Sequence, residues 1–251
     1  MSFFIGVNFF FKGFALANKP GLRRYFWLPA GIGLTLTLAT LYLFGRSIIA
    51  AATPDLPDWL NWLEWIVVPV LFILLALISA WSVSFITIII ASPLFSGLAM
   101  AVEQAVHATN PPAGLTGNVS PPEDKSFRSL LAGIFKDLSR ELRKLRYHIP
   151  RLVGLIILSL IPVVNIIAPL FGGLYGAWIM SVQFSDYAAD NNNMSFTNSL
   201  AQLKKNLLPS MGFGAMTSLA MAIPLVNFFL LPAAVAGGTL LWHHNQTDKS
   251  E

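Results

Sequence analysis

Cysteine is absent from the 251 residues, which excludes a disulfide framework, a thiolate metal site and a cysteine nucleophile. Charge is scarce: 11% of residues are charged, against about a quarter in soluble chains, and 55% are hydrophobic. No glycine-rich loop leads into Lys-Ser or Lys-Thr, which argues against an ATP-driven pump. The histidines are His107, His148, His243 and His244, and none pairs at helical i, i+4 spacing, so no metal site is expected. Serines lie in apolar stretches without a histidine base, and hydrogen bonding to the helix backbone accounts for them. With no catalytic signature and no cofactor motif, the chain does not read as an enzyme.

What is present is apolar length. Phe26 to Phe44 is an uncharged run that suffices to cross a bilayer of about 30 Å, and it defines a first span within 21–52. Gly31, Gly33 and threonines 35, 37 and 40 suit close helix packing in it. Ile66 to Ala91 is a second uncharged run, roughly 39 Å long as a helix, and the span with its extension covers 66–103. Between them Asp55, Asp58 and Glu64 stand without a basic residue, and Trp59, Trp62 and Trp65 form an interfacial aromatic belt. Met1 to Phe14 carries only Lys12 as charge. It lacks the basic start and small-residue cleavage site of a signal peptide, and residues 1–20 read instead as an interfacial segment with Phe3, Phe4, Phe9, Phe10, Phe11 and Phe14 at the headgroup level.

Residues 104–151 shift in composition. Paired prolines at 111–112 and 121–122 mark a loop, and a basic amphipathic helix follows from about Ser126 to His148. Basic segments stay on the cytoplasmic side, which puts the N-terminus and 92–151 inside and 53–65 outside. Nucleic-acid binding is the other use of a basic helix, and two neighbouring spans argue against it. Glu103 ends an otherwise uncharged segment. It either pairs with Arg140 or Arg143 at a pore mouth or stands at the membrane–water boundary.

An internal repeat organises the C-terminal half. Ile161-Pro162-Val163-Val164-Asn165 recurs as Ile223-Pro224-Leu225-Val226-Asn227, each flanked by apolar arms, and the arms of the first copy, Leu152–Ile161 and Ile166–Met180, are each short for a full crossing. Two re-entrant hairpins, 152–184 and 207–242, are predicted, with turns at Pro162–Asn165 and Pro224–Asn227. A single kinked span per copy is the alternative. A broken backbone at membrane depth must be buried in protein or face water, so Asn165 and Asn227 are expected in an oligomer interior or beside a wet path. The spans themselves carry no arginine at 26–44 or 66–91, whereas a divalent anion needs a wet, donor-lined route.

Asn18-Lys19-Pro20-Gly21-Leu22-Arg23-Arg24 precedes the first span. Proline suits a first helical turn, and the next amides, on Gly21, Leu22 and Arg23, are then donors without helical partners at the positive end of the helix. Arg23 and Arg24 add guanidinium forks suited to sulfate or phosphate oxygens. The same charges also suit the cytoplasmic flank of a membrane helix.

These residues resemble a known family. Pro20-Gly21-Leu22-Arg23-Arg24 before an apolar span is similar to the sulfate-binding motif of the CysZ family of bacterial inner-membrane sulfate permeases. Pro93-Leu94-Phe95-Ser96-Gly97-Leu98, Glu103-Gln104, Asp137 with Arg140-Glu141, Pro150-Arg151, Gln183-Phe184-Ser185-Asp186-Tyr187 with Asp190-Asn191, and Phe213-Gly214-Ala215 with Thr217-Ser218 match in order. The loop 108–125 and the residues 243–251 depart from the pattern. The resemblance implies one all-α integral membrane domain over 1–251: two long transmembrane helices, two hemi-penetrating hairpins and a homo-oligomeric assembly. It implies sulfate entry for cysteine synthesis, with the anion at Gly21, Leu22, Arg23 and Arg24 and membrane lipids around the protein. Glu103, Arg140, Arg143, Asn165 and Asn227 are candidates for a pore or charge network. Uptake begins on the outer face while the charge pattern puts Arg23 and Arg24 inside, so the motif is an exit or regulatory site unless the orientation is reversed. Two alternatives stand: a non-transporting scaffold or regulator that holds lipid phosphates, and a carrier of sulfite, thiosulfate or molybdate.

Overall fold

The structure, a computed structural model, describes residues 2–17, 19, 22–52, 62, 64–109 and 127–247. Among them every regular element is helical: α1 (Phe3–Ala17), α2 (Arg23–Ala52), α3 (Glu64–Thr109), α4 (Phe127–Leu160), a 3₁₀ turn (Val164–Ile166), α5 (Ala168–Asn191), α6 (Phe196–Lys205), α7 (Leu207–Met221) and α8 (Pro224–Thr247). The all-α expectation holds.

At 30 and 46 residues, α2 and α3 extend about 45 and 69 Å at helical rise. Among the described residues no helix is long and apolar enough to cross a membrane. The expected spans include side chains outside the described residues, at 24–26, 29 and 84–93, as do most of the acidic loop at 53–65 and the proline-rich loop. The two long helices pack on each other, with Ala30 and Val83 in a small cluster joined by Phe229 of α8. Thr37 and Thr40 donate their hydroxyls to the carbonyls of Gly33 and Leu36, both at 2.9 Å. That is the backbone bonding expected of hydroxyls in apolar helices.

The main core is built elsewhere, from the far part of α3 and from α5, α7 and α8. Phe95, Leu98 and Val102 meet Val182 and Phe184, Phe213, and Leu231, Val235 and Leu241, all fully buried. Their spacing in α3, at i, i+3 and i+7, is one helical face. In the N-terminal segment one face turns inward. Phe10 is buried in this core, and α1 packs on α7 and α8, while Phe3, Phe4, Phe11 and Phe14 stay exposed. Glycine makes that contact possible: a Cβ on Gly6 would sit 1.9 Å from the Pro209 carbonyl oxygen, and one on Gly13 2.3 Å from the Gly237 nitrogen.

Both repeat copies are pairs of helices joined at a short break. In the first, α4 ends at Leu160, Val163 takes a positive φ of 73°, and the Asn165 backbone amide donates to the Ile161 carbonyl at 3.0 Å. The arms fold back on each other, since His148 of α4 meets Tyr175 of α5. The second turn lies earlier than expected. It occupies 222–223, and Pro224–Asn227 already form the first turn of α8, where proline loses no helical hydrogen bond. A second difference is continuity: the basic helix and the first hairpin arm are one helix, Phe127–Leu160, with Pro150 inside it.

Candidate functional site

Arg140, Lys144 and His148 follow one another at i, i+4 and i+8, which places them on one face of α4. That face turns toward α5, whose Asp186 and Asp190 repeat the same spacing, and all three α4 side chains are buried. Arg140 donates from Nε and Nη2 to the two oxygens of Asp186, at 2.8 and 2.7 Å. Its Nη1 reaches Asp190 at 2.7 Å and the Met194 carbonyl at 3.0 Å. Lys144 sits 3.0 Å from Asp186 and 2.7 Å from Glu141, with its ammonium over the Tyr187 ring. Gln183 donates to Glu141 at 3.3 Å.

Burial by itself pushes the Asp186 carboxyl up. Lys144 and Arg140 outweigh it and hold the group below the usual carboxylate range. Burial likewise opposes the charge on Lys144 and Arg140, and the facing carboxylates raise both above their ordinary values. Pairing thus favours the charged forms of Asp186, Lys144 and Arg140, in a cluster where two basic side chains face three acidic ones. Its interior space is about 10 Å³, room for a single water. A sulfate does not fit there. Beside it, Arg140 and Arg143 line a cavity of about 180 Å³ with Asp190 and Ser195.

Helix α3 is tied to the same place. Asn191 donates to the Ser96 carbonyl at 2.8 Å while the Ser96 hydroxyl donates back to the Asn191 side-chain oxygen. About two turns further along α3, the Asn192 amide faces both carboxylate oxygens of Glu103, at 3.1 and 3.0 Å. Burial raises the Glu103 carboxyl to about 7, against the opposing pull of that hydrogen bond. Glu103 thus pairs with an amide. Arg140 is taken by aspartates, and Arg143 donates from Nε to the Ser139 carbonyl at 3.3 Å.

The five network candidates do not form one constellation. Asn165 lies beyond the end of α4, about 30 Å of helix from Arg140 at helical rise, and it is exposed on a groove of about 450 Å³. The side chain of Asn227 lies outside the described residues. Lys144 and Asp186, absent from that candidate set, are central to the cluster. Their signal was the matched four-residue spacing on two helices that the loop and hairpin bring together.

At the N-terminal motif, Arg23 is the first residue of α2 and exposed, and Leu22 packs into the core. The Leu22 amide donates to the Lys19 carbonyl at 3.1 Å, so the helix starts three residues later than Pro20 suggests and this donor is engaged in the turn. Gly21 and the side chain of Arg24 lie outside the described residues. Among the described residues no group of histidines and carboxylates can hold a metal ion.

Fold and site together define a protein that is helical throughout its described regular elements, with a buried ion-paired cluster between α4 and α5 beside α3. The particular lineage follows from comparison. A family model described as sulfate transporter CysZ/etoposide-induced protein 2.4 matches residues 9–232. The chain is 44% identical over 240 residues to a protein named sulfate transporter CysZ from Pseudomonas fluorescens Pf-5, spanning 94% of this chain and 92% of that one. Relatives of the same name occur in Pseudomonas paraeruginosa, at 37% with 98% and 97% covered, and in Pectobacterium atrosepticum, at 31% with 94% and 84% covered. The chain belongs to this family.

Proposed function

We propose that this protein is a sulfate permease or channel of the bacterial inner membrane, working as a homo-oligomer and supplying sulfur for cysteine synthesis. It is not an enzyme. The observation that carries this reading is the end-to-end similarity to relatives that are named as sulfate transporters. Membrane embedding is supported by apolar side chains left exposed on α2, on α3 and around the first hairpin turn: Leu38 and Leu43, Ile73 and Ile78, Leu160 and Ile166. In water such a surface would drive association; in hydrocarbon it is the expected exterior.

Sulfate binds at the start of α2 through the positive helix end and the two arginines that stand there in sequence, Arg23 and Arg24, with Gly21 as the residue type that permits close approach and Leu22 anchoring the turn in the core. The buried cluster holds α3, α4 and α5 in register and is no part of the path, since its cavity is too small and its net charge is negative. Arg143 belongs to the wet side of the charge network, on the larger cavity beside it. Radiolabelled sulfate uptake into proteoliposomes tests the reading. Saturable uptake by the wild type that falls in Arg23→Ala/Arg24→Ala supports it. Uptake untouched by the change removes the site, and no uptake by folded protein favours a scaffold.

A further inference from the structure

The first hairpin opens into two adjoining grooves. One, of about 450 Å³, runs between the arms of α4 and α5 toward the turn. The other, of about 440 Å³, lies where Arg151 and Trp178 approach Leu207 and Met211 of α7. Leu155 and Tyr175 line both, so the two form one furrow. Either half alone has the volume of a small-molecule site. Gly172 leaves the wall bare, since a Cβ added there would meet nothing within 4 Å.

Ser159 and Asn165 are polar lining toward the turn, and the furrow's charge lies at the opposite end, with Arg151. There the Tyr175 hydroxyl is 2.8 Å from His148 Nδ1, and the Trp178 indole N–H donates to the Tyr147 hydroxyl at 3.3 Å. Arg151 is exposed, stacked 3.8 Å from the centre of the Tyr147 ring, with Nη1 donating to the Tyr147 carbonyl. Stacking sets the orientation of its guanidinium plane and leaves other donors of the fork for an anion. Lys204 and Lys205, both exposed in the last turn of α6, lead directly into Leu207 of the wall. None of the lining side chains is a carboxylate.

We propose that this furrow holds one phospholipid with a net-negative headgroup, an acyl chain between α4 and α5 and the phosphate on Arg151, with Lys204 and Lys205 flanking. The site is separate from the sulfate site at α2 and rests on the membrane-hairpin reading above. An apolar helix of a second copy would fill the trough and leave three cations without opposite charge. Inorganic phosphate would satisfy the cations and leave the trough empty. Only a molecule with a long apolar tail and an anionic head meets both ends.

Native mass spectrometry of the full-length protein tests this, after exposure in detergent to equal amounts of phosphatidylglycerol and phosphatidylcholine with identical chains. The wild type retains phosphatidylglycerol preferentially. Arg151→Gln lowers that preference about fivefold, the factor one basic residue near an anionic headgroup supplies. Lys204→Gln/Lys205→Gln, a purely surface change, lowers it further. Gly172→Leu fills the furrow and reduces retention of both lipids. Gly173→Leu, also with open space at its Cβ but outside the furrow lining, leaves retention unchanged.

Equal retention of both lipids by the wild type, or a preference untouched in Arg151→Gln, overturns the site. So does a change of oligomer mass in Gly172→Leu with lipid retention intact, which would mean that a second copy fills the groove. A spin label at Val163→Cys in nanodiscs separates the two levels of failure. A label outside the bilayer overturns the hairpin reading itself, whereas a label within it, combined with no preference, overturns the lipid site alone.

Discussion

Arg140 grips Asp186 across 46 residues of sequence with two parallel bonds, Nε to Oδ2 at 2.8 Å and Nη2 to Oδ1 at 2.7 Å. Planar fork meets planar carboxylate, the strongest ion-pair geometry available to side chains. Removing one partner strands the other in a buried place. Asp186→Ala is expected to cost about 3–5 kcal/mol of stability, seen as a lower unfolding temperature in detergent. Arg140→Ala should cost a similar amount, and the double variant should recover part of the loss. Additive losses in the double variant would show that the pair is not coupled.

The acid limb of stability has an assigned source. The native carboxyl of Asp186 titrates below its ordinary range, so its contribution is complete above about pH 4 and is lost as pH falls through the lower native value. Asp186→Asn should therefore be less stable than wild type at neutral pH, and the gap should narrow in acid. A gap of constant size from pH 7 to pH 3 would contradict this.

His148 and Glu103 pull in opposite directions. Burial, with Arg151 and Lys144 nearby, lowers the His148 imidazole to about 4. Stability from its neutral form is complete above about 6.5 and drains away as pH falls toward 4. His148→Gln should flatten unfolding temperature between pH 7 and 4. Glu103, raised to about 7, favours the protonated form, so its contribution is present in acid and is lost as pH rises through 7. Glu103→Gln should remove this decline, which runs between about pH 4.5 and 7. Unchanged profiles in both variants would remove these assignments.

Asn191 closes a two-way clamp with Ser96 between α5 and α3. Asn191→Ala leaves the Ser96 carbonyl and hydroxyl without this partner and is expected to cost about 1–3 kcal/mol. Ser96→Ala removes only the hydroxyl bond and should cost less. Equal unfolding temperatures for the two variants would argue against the clamp.

Gly13 faces Gly237 with no room for a side chain. Gly13→Val should separate α1 from α8 and abolish folded protein on size-exclusion chromatography. Gly31→Val, where an added Cβ meets nothing within 4 Å, should leave the elution profile intact. A folded Gly13→Val protein would show that α1 docks less tightly than the backbone contact implies.

Composition and run lengths alone indicate that the chain is helical and that its C-terminal half contains an internal repeat, for which paired helical arms are one of two readings. These are local properties. Proline positions, apolar run lengths and charge scarcity act within a few turns of helix, so they can be read along one dimension. The resemblance carried by short motifs also survived, because it depends on residue order.

Tertiary structure decided which charges meet. Glu103, isolated in sequence, reads either as a partner of Arg140 or Arg143 or as a boundary residue, and packing of α5 against α3 and α4 gives Arg140 two aspartates and Glu103 an amide. It also drew Phe10 into the core through glycine contacts with α7 and α8, and kept Asn165 a whole helical arm away from the basic cluster. Buried charge goes to the nearest partner of opposite sign that packing can deliver, because an unpaired ion in low dielectric costs more than any local preference supplies. That choice depends on distances between helices, and such distances exist only once the chain has folded.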